Sequence, residues 1–172
     1  IEHDPTTAEF KEAGHKILLL SPEGWQHRDG LGGTEYLAHV HGRTTGDAPH
    51  LDLKEEKAVQ EALLDLIQAE LVQSAHDVSD GGLAVALAES ILHSEGLGAD
   101  VYLPSTRDAD TRLDSLLFGE AQSRVVLSAT KEDVSLIQDK LAGRPVQAQV
   151  IGRVSDELRF EMHVGDFNVT SI

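Results

Sequence analysis

The sequence predicts an α/β domain in which helices pack on a mixed sheet. Three observations lead there. Two segments, from Glu55 to Leu71 and from Leu83 to His93, repeat apolar residues at helical intervals. Two late segments, Val146 to Val150 and Leu158 to Val164, alternate apolar and polar residues with the period-two pattern of strands. Strand-like and helix-like stretches alternate only loosely and end in what reads as a hairpin, which favours a mixed sheet over a purely parallel one.

The opening, Ile1 to Gly14, is polar around Asp4-Pro5-Thr6-Thr7 and reads as a connector. With Ile rather than Met in first place, residues 1–172 are expected to form a single domain of a longer protein, with 1–14 linker-like. The apolar run Lys16 to Leu20 suits a strand ending near Ser21. Beyond Pro22-Glu23-Gly24 and a polar loop comes Gly30-Leu31-Gly32-Gly33-Thr34. About eight polar residues separate these glycines from the strand, and no Lys-Ser/Thr follows, so neither a dinucleotide fingerprint nor a P-loop is indicated.

Asp52 and Glu55 have the spacing of a capping box, opening a helix whose apolar face carries Val59, Leu63, Leu66, Ile67 and Leu71. Ser74 to Val78 reads as a short strand, punctuated by Asp80-Gly81-Gly82. Leu83, Leu87 and Ile91 then set a second helix, apolar on nearly every face except at Glu89 and therefore expected to be buried. Ala99 to Leu103 suits a strand stopped by Pro104, and after a polar excursion to Leu113, Arg124 to Ala129 suits another. Thr130 and Asp133 cap a helix bearing Val134, Ile137 and Leu141, closed by Gly143. The turn Ser155-Asp156-Glu157 is expected to join the last two alternating segments as an antiparallel hairpin.

Composition narrows the function classes. The chain carries 30 acidic and 14 basic residues, a formal charge of −16, and such a field repels nucleic acid and anionic lipid surfaces. Without cysteine there is no disulfide scaffold, thiolate nucleophile or cysteine zinc site. No apolar run approaches the roughly 20 residues of a membrane span. These features lead to the expectation of a soluble, cytoplasmic protein. The nine histidines are scattered; only His39 and His41 are close, and they would share a face on a strand but diverge on a helix.

Two segments could carry chemistry. Ser74-Ala75-His76-Asp77-Val78-Ser79-Asp80-Gly81-Gly82-Leu83 places two carboxylates and two hydroxyls between a strand and a helix. Either Ser79 or Asp80 caps the helix, or the helix start binds an anion while Asp77 holds a divalent cation such as magnesium. Leu116 to Arg124 presents Glu120, Gln122 and Arg124 just before a strand. Glu120 and Arg124 could pair with each other, or the cluster could read a ligand's hydroxyls and amides. Glu89, as a lone charge, is expected to pair with a basic group.

Taken in order, Leu31 to Leu37, Ser74 to Glu89 and Leu117 to Arg124 resemble the carboxy-terminal domain of the phosphoribosylformylglycinamidine synthase family, within the superfamily related to aminoimidazole ribonucleotide (AIR) synthetase. Thr34 and Ala121 stand where the family pattern has Ser. The resemblance implies an ATP-dependent ligase of purine biosynthesis. Such a ligase converts formylglycinamide ribonucleotide to the formylglycinamidine, using glutamine-derived ammonia and a phosphorylated amide oxygen. It further implies ATP and Mg2+ as cofactors, with Asp77 as the metal-binding residue. Gly33, Thr34, Asp80, Gly81, Gly82, Glu120 and Gln122 would form the substrate- or nucleotide-binding set. The implied partners are upstream ATP-binding domains of the same chain, a glutaminase and the ribonucleotide substrate, without nucleic acid or membrane. The catalytic groups would lie upstream, leaving this domain inactive alone. An equivalent domain of another AIR synthase-related enzyme, or a free-standing binding module, is the alternative. Asp77, Asp80, Gly81, Gly82, Glu120 and Gln122 are expected to converge if both strands share one sheet.

Overall fold

The computed structural model describes residues 5–27, 30–103, 112–165 and 167–171. The strands are β1 (Lys16–Pro22), β2 (Ser74–Asp77), β3 (Gly98–Leu103), β4 (Val125–Ala129), β5 (Val146–Ser155), β6 (Phe160–Val164) and β7 (Phe167–Ser171). The helices are α1 (Glu35–His41), α2 (Leu53–Gln68), α3 (Gly82–Leu92), α4 (Leu113–Phe118) and α5 (Asp133–Leu141), and a 3-10 turn spans Trp25–His27. The strands form one sheet in the order β2-β4-β1-β5-β3-β6-β7. All neighbours are antiparallel except β3 and β6.

Helices cover both faces of this sheet, which explains the unbroken apolar run of β1. Ile17 and Leu19 face one core with Leu83, Leu87 and Ile91 of α3 and Leu116 and Leu117 of α4. Leu18 and Leu20 face the other with Val59, Ala62 and Leu66 of α2 and Ile137 and Leu141 of α5. A central strand buried on both sides has no polar alternation to show. Helix α3 is a one-sided helix rather than a buried rod: Leu83, Ala86, Leu87, Ser90 and Ile91 face inward while Leu92 is 75% exposed. It lies as an outer layer on the sheet, so its far side meets solvent.

The expected hairpin between the last two alternating segments does not form. Strand β3 lies between β5 and β6, antiparallel to the first and parallel to the second. The Ser155-Asp156-Glu157 turn arches over the start of β3, where Ala99 N donates to Arg159 O at 2.9 Å. Only glycine permits this crossing, since a Cβ on Gly98 would stand 2.0 Å from Glu157 O and 2.3 Å from Arg159 O. The hairpin is instead β6–β7, closing at Val164 and Phe167. Period-two alternation identifies strands; it carries no information about which strand inserts between them.

A second departure sits inside β5. Ile17 is opposite Gly152 and Leu18 opposite Val150, leaving Ile151 as the extra residue of a bulge. The bulge reverses the parity of the strand, so Val146 and Ala148 serve one core while Ile151 and Val154 serve the other. Val150, expected inside by simple alternation, is 41% exposed. Beyond the bulge Arg153 lies opposite Asp100 of β3, and that buried carboxylate is bound by Arg153 and Arg159. Such pairing is what makes a buried charge tolerable.

The opening segment is less of a connector than its composition indicates. Phe10 is 2% exposed in the core, its N–H donates to Ser90 O at 3.0 Å, and Thr7 bridges to Ser74. Residues 1–4 lie outside the described residues, as do Pro104 and the excursion through residue 111. Two helix starts follow the sequence reading. Asp52 accepts from Lys54 N and Glu55 N, and Thr130 accepts from Asp133 N while donating to the Asp133 carboxylate.

Two measurements test this description. Ile151→Ala should cost about 2–5 kcal/mol in chemical denaturation, whereas Val150→Ala should cost less than about 1 kcal/mol; unbroken alternation in a sheet covered on both faces would bury both side chains and bring the two costs together. The backbone N–H groups of Lys54 and Glu55 hold the Asp52 carboxyl below its ordinary value of 3.8. Its stabilising effect is therefore present above the unfolded-state pKa and is lost as pH falls through the lower folded-state value. Asp52→Asn keeps the cap's acceptor without a titrating group, so the loss of stability below pH 3.8 should become shallower than in the unaltered chain.

Candidate functional site

Strand pairing places the two polar segments side by side. Asp77 at the end of β2 lies opposite Val125 at the start of β4, and Val78 N donates to Arg124 O at 2.9 Å. Residues 77–82 and 119–124 therefore emerge at the same end of the sheet, beneath the loops that flank α1. Together they bound an open cavity of about 670 Å3. Its walls include Gly32 and Gly33 before α1, Gly46 and Pro49 before α2, and Glu56 and Gln60 on α2. Asp77, Ser79, Asp80, Glu120, Gln122 and Arg124 complete it.

Glu120 ties these pieces together. One carboxylate oxygen, Oε1, accepts from Gly81 N at 2.8 Å and from Glu35 N at 2.9 Å. Its own N–H donates to Gly30 O at 2.9 Å. Arg124 is 5% exposed, donates from Nε to Ala121 O and from Nη2 to Gly119 O, and lies 5.9 Å from the centre of the Trp25 ring. Among the described residues, the Glu120–Arg124 ion pair left open by the sequence does not form. The guanidinium holds the backbone on either side of Glu120 instead.

The start of α3 is likewise capped from a distance. Its cap residue is Gly81, with no side-chain cap from Ser79 or Asp80, and Glu120 takes the Gly81 N–H that a local cap would leave to water. Gly82 N donates to Ser79 O at 3.0 Å. Both glycines have left-handed φ, 80° and 73°, and a Cβ on Gly82 would stand 2.7 Å from the Phe118 carbonyl carbon. The pair of glycines thus serves a tight turn pressed against the end of α4. Asp77, Ser79 and Asp80 remain exposed at the cavity rim.

The other expected site residues divide in the same way. Thr34 is 1% exposed and caps α1, accepting from Leu37 N and donating to Leu31 O. Gly33 and Gln122 are exposed at the rim. Glu89 finds its basic partner: His76 Nε2 lies 3.0 Å from Glu89 Oε2, and His76 Nδ1 donates to Asp77 O. His39 and His41 lie on α1 and diverge, His39 toward Glu35 and His41 edge-on to Tyr36.

Sequence reasoning missed the α2 wall. Ser123 Oγ donates to Glu56 Oε2 at 2.7 Å, and Gln60 Nε2 donates to Glu56 Oε1 at 2.6 Å. Glu56 looks like any solvated acid of a first helical turn, so no local pattern announces it. Ser123 holds a φ of 67°, rare for a non-glycine residue, as it turns into β4.

The donor set suits a hard cation only in part. Asp77 and Asp80 offer carboxylate oxygens, the Asp77 side chain being 78% exposed. Among the described residues no three His, Asp or Glu side chains group closely enough to hold a metal ion. Magnesium fits if ligand oxygens and water complete its shell, its usual manner of binding.

Substitutions distinguish the two kinds of glycine. Gly33→Ala meets open space at a φ of 76° and should cost about 1 kcal/mol, whereas Gly82→Ala adds a backbone clash and should cost more than about 2 kcal/mol in denaturant unfolding. Equal costs would contradict the packing role of Gly82.

The family described as AIR synthase related protein, C-terminal domain, matches residues 12–165. Phosphoribosylformylglycinamidine synthase subunit PurL of Salinibacter ruber is 51% identical over 156 residues, covering 90% of this chain and 20% of that protein. The subunit of the same name from Symbiobacterium thermophilum is 42% identical over 161 residues, covering 91% and 20%. The chain thus spans about a fifth of the length of these curated relatives. Among solved structures, T. maritima PurL complexed with FGAR superposes with a TM-score of 0.74 at 21% identity, covering 95% of this chain and 28% of that one. Hydrogenase maturation protein HypE in complex with ATP shares the fold at a TM-score of 0.62 and 16% identity, over 96% and 52%. With a family match over residues 12–165 and relatives up to 51% identical over nine-tenths of its length, the chain belongs to the AIR synthase-related C-terminal domain family.

Proposed function

We propose that this chain is the carboxy-terminal domain of a phosphoribosylformylglycinamidine synthase and shapes one wall of a nucleotide or ribonucleotide site. The full-length enzyme would convert formylglycinamide ribonucleotide to the formylglycinamidine with ATP and glutamine-derived ammonia. The observation that carries this reading is the cavity of about 670 Å3, to which all three segments that resemble the family contribute. A space of that size suits a nucleotide. The 51% identity to a protein of that name supports the choice over other enzymes that share the fold.

In this reading the residues divide by exposure. Asp77 would hold magnesium, which would supply positive charge for the ligand's phosphates, and Gly33, Asp80 and Gln122 meet the ligand at the rim. Thr34, Gly81, Gly82 and Glu120 hold the wall in shape. The cavity brings four carboxylates together, Glu56, Asp77, Asp80 and Glu120, against one guanidinium occupied by backbone carbonyls. A phosphate enters such a field at little cost only with a cation beside it. Magnesium, when bound, would neutralise the phosphate charge. The residues that activate the amide and ammonia belong to the ATP-binding domains of the same polypeptide and to a glutaminase partner. No helix among the described residues is long and apolar enough to cross a membrane, and a cytoplasmic setting accords with purine biosynthesis.

The test is an assay of the full-length protein with formylglycinamide ribonucleotide, ATP and ammonia. Product is expected from the full-length protein and none from residues 1–172 alone. Asp77→Ala in the full-length protein should weaken magnesium-dependent nucleotide binding by about tenfold or more in calorimetry. An inactive full-length protein, or turnover by the isolated chain, refutes the assignment.

A further inference from the structure

We propose that Glu120 is a positioning residue that fixes the mouth of the cavity, acting through backbone rather than touching ligand or metal. The inference rests on the reading of the cavity as a ligand site and says how its shape is held.

Two walls come from distant parts of the chain, Gly32-Gly33 before α1 and Ser79-Asp80, next to Gly81, before α3. The second is anchored by the buried face of α3, the first by no deep core. Helix α1 has no buried residue, and it rests on the domain through Thr34 and the stacking of Tyr36 on Phe118 at 4.8 Å. Glu120 joins both walls through one atom, since Oε1 receives the N–H of Glu35 and that of Gly81. Hydrogen bonds to an ionised acceptor are stronger than neutral ones.

The carboxylate itself has little freedom. Glu120 N is held by Gly30 O, and the carbonyls of Gly119 and Ala121 on either side are held by the buried Arg124. Gly30 must be glycine for this approach, because a Cβ there would stand 2.8 Å from Ala121 N. The protein thus supplies its own anion at the point where the two walls meet. The backbone donors at Glu35 and Gly81 that could otherwise receive a ligand's phosphate are already satisfied. What the ligand meets is a rim of set width, with Asp77, Asp80 and Gln122 presented from it.

The roles of reach and charge separate by substitution in the full-length protein. Glu120→Gln keeps an oxygen able to accept both N–H groups and removes the charge; Glu120→Asp keeps the charge and falls short by one methylene. Hydrogen–deuterium exchange of peptides covering Glu35 and Gly81 reads the anchoring directly. Glu120→Asp and Glu120→Ala should each raise exchange in both peptides by about tenfold, and Glu120→Gln should stay much closer to the unaltered protein. Affinity for ATP with magnesium, measured by calorimetry, should follow the same order, falling with Asp and Ala and rescued by Gln. Should the Ala variant fail to fold, the contrast between Gln and Asp still decides. Unchanged exchange in Glu120→Asp overturns the proposal. So does a Gln variant with normal exchange and affinity as low as that of Asp, because the carboxylate would then be acting on the ligand. If the unaltered protein does not bind ATP at all, the proposed function fails, while the exchange measurement still tests the anchor.

Discussion

The pairing of β4 with β2 is the constraint on which the rest of the site depends. Its register runs from Ser74 opposite Ser128, whose hydroxyl oxygens lie 2.6 Å apart in the buried sheet, to Asp77 opposite Val125. Because the strands are antiparallel, the end of one meets the beginning of the other. The turn into α3 and the turn out of α4 are thereby forced to share a corner. A shift of one residue would turn Ala75 and Leu127 to the opposite face and separate Gly81 from Glu120.

What this corner needs is close approach of backbone to backbone, and the chain meets the need with small residues and a single extended carboxylate. Gly82 lets α3 begin against the end of α4, and Gly30 lets the loop before α1 lie on Ala121. One donor at the start of α3, which lacks a side-chain cap, and one at the start of α1, beside its Thr34 cap, are then satisfied by Glu120. Polar groups brought together in this way are costly unless each finds a partner. Arg124 fits the same logic: a buried guanidinium whose donors meet carbonyls and whose face lies near Trp25 acts as a brace for the loop.

Electrostatics then set the terms on which a ligand can enter. The overall charge of −16 is not relieved at the cavity, whose rim carries Asp77 and Asp80 in exposed positions. An anionic ligand therefore has to be accompanied by positive charge, from a metal ion or from other parts of the full-length protein.

The sequence by itself determined most of the elements. Helical periodicity marks α2 and α3, the apolar run marks β1, and the Asp-Gly-Gly turn marks a place of unusual backbone, because these signals depend on neighbours within a few residues. It also indicated that Asp77 and Glu120 would converge if their strands shared a sheet. Only the tertiary structure decided that they do, and by what route. The insertion of β3 between β5 and β6, the bulge at Ile151 and the entry of Glu56 into the cavity wall all arise from pairings between residues far apart in the chain. The division of labour between Glu120 and Arg124 has the same origin. Four residues apart, an acid and a base look like partners; in the fold each finds backbone groups delivered by other segments, and those contacts are fixed by packing that no local pattern records.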